Sequence, residues 1–310
     1  MKTITNKLVM SVLALVLTGV ALSVGVFAWF TVNNRANIDS FTGTVQTGEG
    51  FYVSTDAQSW VNEIDSATMQ ILAEDVIFRA MTSEDGITFE EYNSLTALTA
   101  ATDGFIEFTL YFAGSAALDQ IQVSSLTLTG SQTSWIPGRL VSGTRQASES
   151  LGANDPITDY VSNAARVSFE DILGTFTSVI FEQADTVDGN SLGFDTYTTN
   201  EAILFYNDIM DTPIPEVDFD AAVLNTASTS KAGTNLTVPV ASLVDLATFN
   251  ALPGITADTT ELSSIGGDDA AFGAITIRVW VEGFDQEAFN AILSGLLTVE
   301  FNFVGIDTTP

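Results

Sequence analysis

Apolar and polar residues alternate along most of the clearly patterned stretches of this chain. In FIEFTLYF, Ile106, Phe108, Leu110 and Phe112 share one face, with Glu107, Thr109 and Tyr111 on the other. ITIRVWVEG sets Ile275, Ile277, Val279 and Val281 against Thr276, Arg278, Trp280 and Glu282, and LTVEFNF sets Leu297, Val299, Phe301 and Phe303 against Thr298, Glu300 and Asn302. A period of two with one apolar face predicts half-buried strands. Shorter strands are predicted at 50–54, 124–130, 165–170, 177–182 and 235–240. The set predicts an all-β protein, a jelly-roll-like antiparallel β-sandwich.

Helices are accessories in this reading. Phe289, Ile292, Leu293 and Leu296 follow helical spacing between Asp285, a candidate cap, and Gly295, a candidate stop. A second helix is expected within 62–78, with Ile64, Thr68, Ile71 and Leu72 on its stripe. Residues 141–163 and 183–234 resist a strand reading. The latter is polar, acidic and broken by Pro213 and Pro215, which marks a surface insertion.

The N-terminus has a different pattern. MKTITNK supplies two lysines, Leu8–Val26 is almost wholly apolar, and Val26-Phe27-Ala28 places small residues at −3 and −1 of a cleavage site after Ala28. Residues 1–28 are therefore expected to be a signal peptide recognised by signal peptidase. An uncleaved anchor is the alternative, since the run comes close to the about 20 residues that span a bilayer. Residues 29–46 then form a candidate donor strand, followed by a sandwich domain over 47–310. From Phe30, the positions Phe30, Val32, Ala36 and Ile38 share the apolar phase, which flips near Ser40 so that Phe41, Gly43 and Val45 carry it onward. Such a flip divides two short strands by a bulge or bend.

Composition narrows the function. The chain has 310 residues, no Cys, no His, 9 basic and 39 acidic groups and a net charge of −30. Lys2 and Lys7 precede the apolar run and no acid does, so residues 29–310 carry seven basic groups against 39 acidic ones. Nucleic acid is excluded as a partner because phosphate binding needs a basic footprint. Without Cys or His there is no thiol or Ser-His-Asp nucleophile, no imidazole base and no ordinary zinc site. A secreted form must also hold together without disulfides.

Two end stretches carry a resemblance. An apolar leader ending in Ala28, the start Trp29-Phe30, about ten polar residues and Phe41-Thr42-Gly43-Thr44-Val45 resemble the TasA/camelysin group of secreted bacterial proteins, whose mature N-termini run into an F-x-x-G-T-L phrase. The present phrase is one residue shorter. Near the C-terminus, Trp280, Glu282, Gly283 and Asp285 form a W-x-E-G-x-D phrase similar to the endings of relatives of that group. The resemblance implies jelly-roll subunits of extracellular matrix fibres, in which one subunit's N-terminal strand completes the sheet of the next. Phe30, Val32, Ala36 and Ile38 would be the side chains donated, and the partner would be the protein itself, head to tail, with a second matrix protein or a surface glycan as a further expectation. The metalloprotease label attached to camelysin does not carry over, because a chain without His has no H-E-x-x-H.

Other chemistry is sparse. Asp185, Asp188, Asn190 and Asp195 gather oxygen ligands around a turn as a calcium loop would, though not at EF-hand spacing. Calcium is the one cofactor expected, with a solvated acidic loop as the alternative. Glu90 and Glu91 are adjacent, so in a strand they point to opposite faces and do not make a glycosidase pair; no enzymatic activity is expected. Asp268 and Asp269 read as turn residues before the strand at 275. Trp60, Trp135 and Trp280 could line a sugar-binding face, with Trp280 placed opposite Ile277 and Val279 and hence exposed or facing an insertion. A secreted or membrane-anchored β-sandwich that binds carbohydrate is therefore the alternative function.

Overall fold

Strands account for most of the chain's regular structure in the computed structural model, which describes residues 35–36, 41–47, 50–73, 76–94, 97–136, 141–142, 150–151, 156–187, 190–193, 230–283, 285 and 295–308. In chain order they are β1 (Arg35–Ala36), β2 (Phe41–Thr47), β3 (Phe51–Ser54), β4 (Glu63–Ile64), β5 (Phe78–Thr82), β6 (Phe89–Ser94), β7 (Ala97–Ala101), β8 (Ile106–Gly114), β9 (Gln120–Gly130) and β10 (Gln132–Trp135). There follow β11 (Val141–Ser142), β12 (Ser150–Leu151), β13 (Ile157–Tyr160), β14 (Ala165–Asp171), β15 (Val179–Glu182), β16 (Asp185–Val187), β17 (Asn190–Gly193), β18 (Ser230–Lys231), β19 (Gly233–Ser242), β20 (Ala271–Glu282) and β21 (Leu297–Ile306). The chain divides into two units, Met1–Arg35 and Ala36–Pro310, and all but Arg35 of the described residues belong to the second.

Two sheets pack face to face. One has the order β19-β9-β21-β2-β4. The other runs β18-β15-β14-β20; the far edge of β20 then pairs with β8 along Ala271–Val279 and with β5 at Val281 and Glu282, β3 adds to β8, and β6 and β7 extend β5. Between them lies one core that includes Phe112, Phe169, Phe181, Ile277, Phe301 and Phe303, each nearly or fully buried. Phe169 meets Phe181, Phe301 and Phe303 edge-on at 5.5, 5.7 and 5.9 Å, the arrangement that ring quadrupoles favour. Most described pairings are antiparallel; β2 with β21, β20 with β5 and β15 with β18 are parallel. The all-β sandwich expected from alternation is the observed architecture.

Details depart from the sequence reading. A helix forms at Ser66–Leu72, capped by Asp65, whose carboxylate accepts the Thr68 N–H at 2.9 Å. Its buried residue is Met69, whereas Ile71, assigned to the stripe, is 69% exposed. Ile64 is buried in β4 instead, because the strand ends at Ile64 and the helical phase starts only after Asp65. The stretch 141–163 contains β11, β12 and β13, short pairs that its polar composition concealed. Within 183–234, β16 and β17 form a hairpin and the chain returns at β18. Residues 286–294, the body of the expected C-terminal helix, lie outside the described residues.

Candidate functional site

Two regions bear on the fibre expectation, the start of β2 and the end of β20. β2 is an interior strand. It pairs in parallel with β21 over its whole length, Phe41 opposite Leu297 to Thr47 opposite Phe303, and on its other side with β4 at Val45 and Gln46. The Phe41–Val45 phrase therefore belongs to the chain's own sheet, with Val45 fully buried. Of the donor residues, Ala36 falls in the two-residue β1, which pairs with β5 of the same chain, as the edge-strand alternative would have it; Phe30, Val32 and Ile38 lie outside the described residues, as does Ala28. Among the described residues no helix is long and apolar enough to cross a membrane.

The edges of this sheet are guarded. β4 is followed directly by the Ser66–Leu72 helix, whose Met69 enters the core. At the opposite edge, β19 carries Pro239, two register shifts against β9, and Asn235 with a φ of 58°. Proline, bulges and a covering helix all deny an incoming strand a regular ladder.

The W-x-E-G-x-D phrase is a brace. Trp280 is fully buried, packed edge-on against Phe89 at 5.2 Å in a cluster with Met81 and Ile180, so of the two placements expected for it, exposed or facing an insertion, exposure is ruled out. The residues that bury it come from β5, β6 and β15, a covering that lies far away in sequence. Its indole N–H donates to Glu282 Oε2 at 3.3 Å. The Glu282 N–H donates to the Ala164 carbonyl, and the Gly283 N–H donates to that of Met81 at 2.7 Å, tying β20 to both neighbours. Asp285 Oδ2 accepts from Arg166 Nη2 at 2.7 Å, with Glu182 Oε2 3.6 Å from the same nitrogen, and all three side chains are almost wholly buried. Lys231 pairs with the other oxygen of Glu182. Because Glu182 and Lys231 are opposite each other in the β15–β18 pair, this ion pair closes the stem of the insertion that leaves after β15.

The outer face of the second sheet is also occupied. At one end, Phe272 and Ala274 lie under Phe249 and Leu262 from the 243–270 segment and under Trp60, whose indole N–H donates to the Asp258 carbonyl at 2.7 Å. At the other end sits the Trp280 cluster. Arg278 bridges between them, donating to Glu107 at 2.6 Å and to Glu170 at 2.7 Å. Trp60 and Trp280 are thus core residues rather than a sugar platform, and the side chain of Trp135 lies outside the described residues. Glu91 is paired with Arg79 at 3.1 Å while Glu90 is exposed, as adjacent strand residues must be.

Two loops that seat these aromatics share a pattern the sequence reading missed, S-x-D-x-x-[ST]-aromatic, at Ser54–Trp60 and Ser83–Phe89. Asp56 Oδ1 accepts the Ser54 hydroxyl and the N–H groups of Gln58 and Ser59, each at 2.8 Å. Asp85 Oδ1 accepts the Ile87 and Thr88 N–H groups at 2.8 and 2.7 Å. Ala57 and Gly86 follow at φ of 57° and 68°. Burial pushes both carboxyls up, but the backbone donors, Ser59 and Gln58 for Asp56 and Thr88 and Ile87 for Asp85, outweigh it and hold both below the usual range. Aligning the two segments by their Ser, Asp and aromatic would have revealed the repeat.

Of the expected calcium ligands, Asp185 is buried in β16 and Asn190 lies in β17, while Asp188 and Asp195 lie outside the described residues. No group of three or more carboxylates placed to hold a metal occurs among the described residues. Asp268 and Asp269 lie in a short 3-10 turn just before β20. No family model, curated protein or solved structure matches this chain.

Proposed function

We propose that the protein is a secreted structural subunit of an extracellular or cell-surface fibre, polymerising head to tail by donation of Trp29–Ser40 to a neighbouring copy. The observation that supports this reading is the pairing of β2 with β21: the Phe41–Val45 phrase folds as an interior strand beside the strand that follows the W-x-E-G-x-D phrase. The candidate donor segment thus continues directly from a strand anchored on both sides at Val45 and Gln46. A strand extended from so rigid a base can offer main-chain hydrogen bonds and alternate side chains to a second sheet. Each of Phe30 and Ile38, fully buried in an acceptor, would contribute about 1.5–3 kcal/mol. A head-to-tail contact of this kind does not close, and so generates fibres. Jelly-roll connectivity and cleavage after Ala28 belong to the same proposal.

The test compares residues 29–310 with residues 41–310, each with and without calcium, by electron microscopy and size-exclusion chromatography. The shorter form keeps β2 and every later strand. Fibres from the longer form and monomers from the shorter one assign Trp29–Ser40 as the donated strand. Monomers from both return that segment to an ordinary edge strand and reject the fibre reading.

A further inference from the structure

Among the described residues, the outer face of the β19-β9-β21-β2-β4 sheet is sparse in acids. Register places Thr44, Glu300 and Thr127 in one row and Glu63, Gln46, Asn302 and Ser125 in another, all pointing away from the core. Gln46, Thr129 and Glu300 are exposed, and Thr44, Thr127, Thr298 and Asn302 are half-buried, on a sheet face that no strand or helix among the described residues covers. Among the described residues in these strands, the face carries charge only at Glu300 and, on its rim, at Glu63. The opposite broad side is covered by 243–270, where Asp245, Asp258, Glu261, Asp268 and Asp269 are exposed and no Lys or Arg occurs.

We infer that this Thr/Gln/Asn face is a self-association surface, whose occupant is the same face of a second copy. Charge argues for that occupant. A chain of net charge −30 repels its copies everywhere except where acids are sparse. With sheets stacked about 10 Å apart, face-to-face contact leaves the two acid-covered sheets about 30 Å from each other, several times the roughly 8 Å Debye length at physiological salt. Hydroxyl and amide side chains both donate and accept, so the face can pair with itself about a two-fold axis. Edge-to-edge pairing of the same sheet is opposed by Pro239, the β19 register shifts and the Ser66–Leu72 helix. The inference stands without the donated strand, since it uses no residue before Thr44.

A chain without cysteine makes the test direct. Thr127→Cys and, as a control on the acidic side, Thr260→Cys are introduced separately into the full secreted chain and treated with a short bis-maleimide cross-linker over a range of NaCl. Covalent dimers from Thr127→Cys that increase with salt, with none from Thr260→Cys, are expected. Sedimentation velocity should show Glu300→Gln associating more tightly and the Thr127→Asp/Thr298→Asp pair about tenfold or more weakly, with unchanged circular dichroism. Equal cross-linking at both positions, none at either, or an unchanged association constant in Glu300→Gln overturns the inference. Retention on a neutral glycan column that these substitutions abolish, without any dimer, would give the face to carbohydrate instead and equally overturn it.

Discussion

Asp285→Ala tests whether the end of β20 is a brace. Arg166 donates to Asp285 at 2.7 Å and to the carbonyls of Ala165 and Asn163 at 3.1 and 3.2 Å, and its side chain is only 5% exposed. Removing Asp285 leaves a buried guanidinium facing Glu182 Oε2 at 3.6 Å, too long for a good hydrogen bond. Breaking a buried pair costs about 3–5 kcal/mol; with Glu182 still present as counter-charge, the low end, about 3 kcal/mol, is expected. At roughly 2–4 °C per kcal/mol for a domain of this size, the melting temperature should fall by about 6–12 °C. Arg79→Ala is the internal comparison. Its pairs with Glu91 and Asp103 are solvent-accessible, the arginine side chain being 28% exposed, so its loss should cost no more than about 1 kcal/mol. Replacing both buried partners, Arg166→Met with Asp285→Leu, should recover most of the loss, because apolar substitution of a whole buried pair is close to neutral. Urea unfolding followed by tryptophan fluorescence measures all three variants against the wild type. If Asp285→Ala lost no more than Arg79→Ala, the brace would be an incidental contact and the W-x-E-G-x-D phrase would need another explanation.

Asp56→Ala and Asp85→Ala should each cost about 1–2 kcal/mol at neutral pH, the range for a carboxylate that satisfies two or three local N–H groups. Both carboxyls titrate lower in the folded than in the unfolded chain, so their stabilisation is full above the unfolded value, about 3.9, and is lost as pH falls through the folded one. The gap between wild type and either variant in thermal melts should therefore be constant from pH 7 to 5 and narrow below about pH 4; a gap that widened on acidification would contradict the assignment. Gly273→Ala places a Cβ 2.7 Å from the Ser242 carbonyl and 2.9 Å from Leu243 Cδ2. It should destabilise by about 1–3 kcal/mol in the same melts, and an unchanged midpoint would mean that the β19–β20 junction relaxes freely.

The main strands were legible because alternation is a local signal. Ile106, Phe108, Leu110 and Phe112 all face the core, and so do Leu297, Val299, Phe301 and Phe303. What covers a strand's second face is not local. In β20 the polar-looking side holds Thr276, Arg278, Trp280 and Glu282, and periodicity alone leaves open whether it is exposed or faces an insertion; in the fold it is roofed by residues 243–270, the Ser54–Trp60 loop and the β5-β6-β7 ribbon. The same limit misplaced Ile71, where the helical phase was set by the Asp65 cap rather than by the apolar residues on either side. The β11–β12 pair escaped because two-residue strands of Ser, Val and Leu have too few positions to show a period.

The candidate site divides along the same line. The F-x-G-T-V phrase could be read as a strand from its own residues, and β2 is one; that it lies beside the last strand of the chain could not, since parallel pairing joins residues more than 250 positions apart. Parallel neighbours cannot be linked by a tight turn, so β2 and β21 are joined only through a long crossover. The segment upstream of Phe41 therefore acquires a fixed base only once β21 is in place beside β2. Under the proposed N-terminal donation, that order would keep a chain whose β21 is not yet docked from joining a fibre. Weakening β21 on its inner face, as Phe301→Ala would, should therefore reduce assembly together with stability, whereas Thr298→Asp, on the outer face of the same strand, should leave head-to-tail assembly intact.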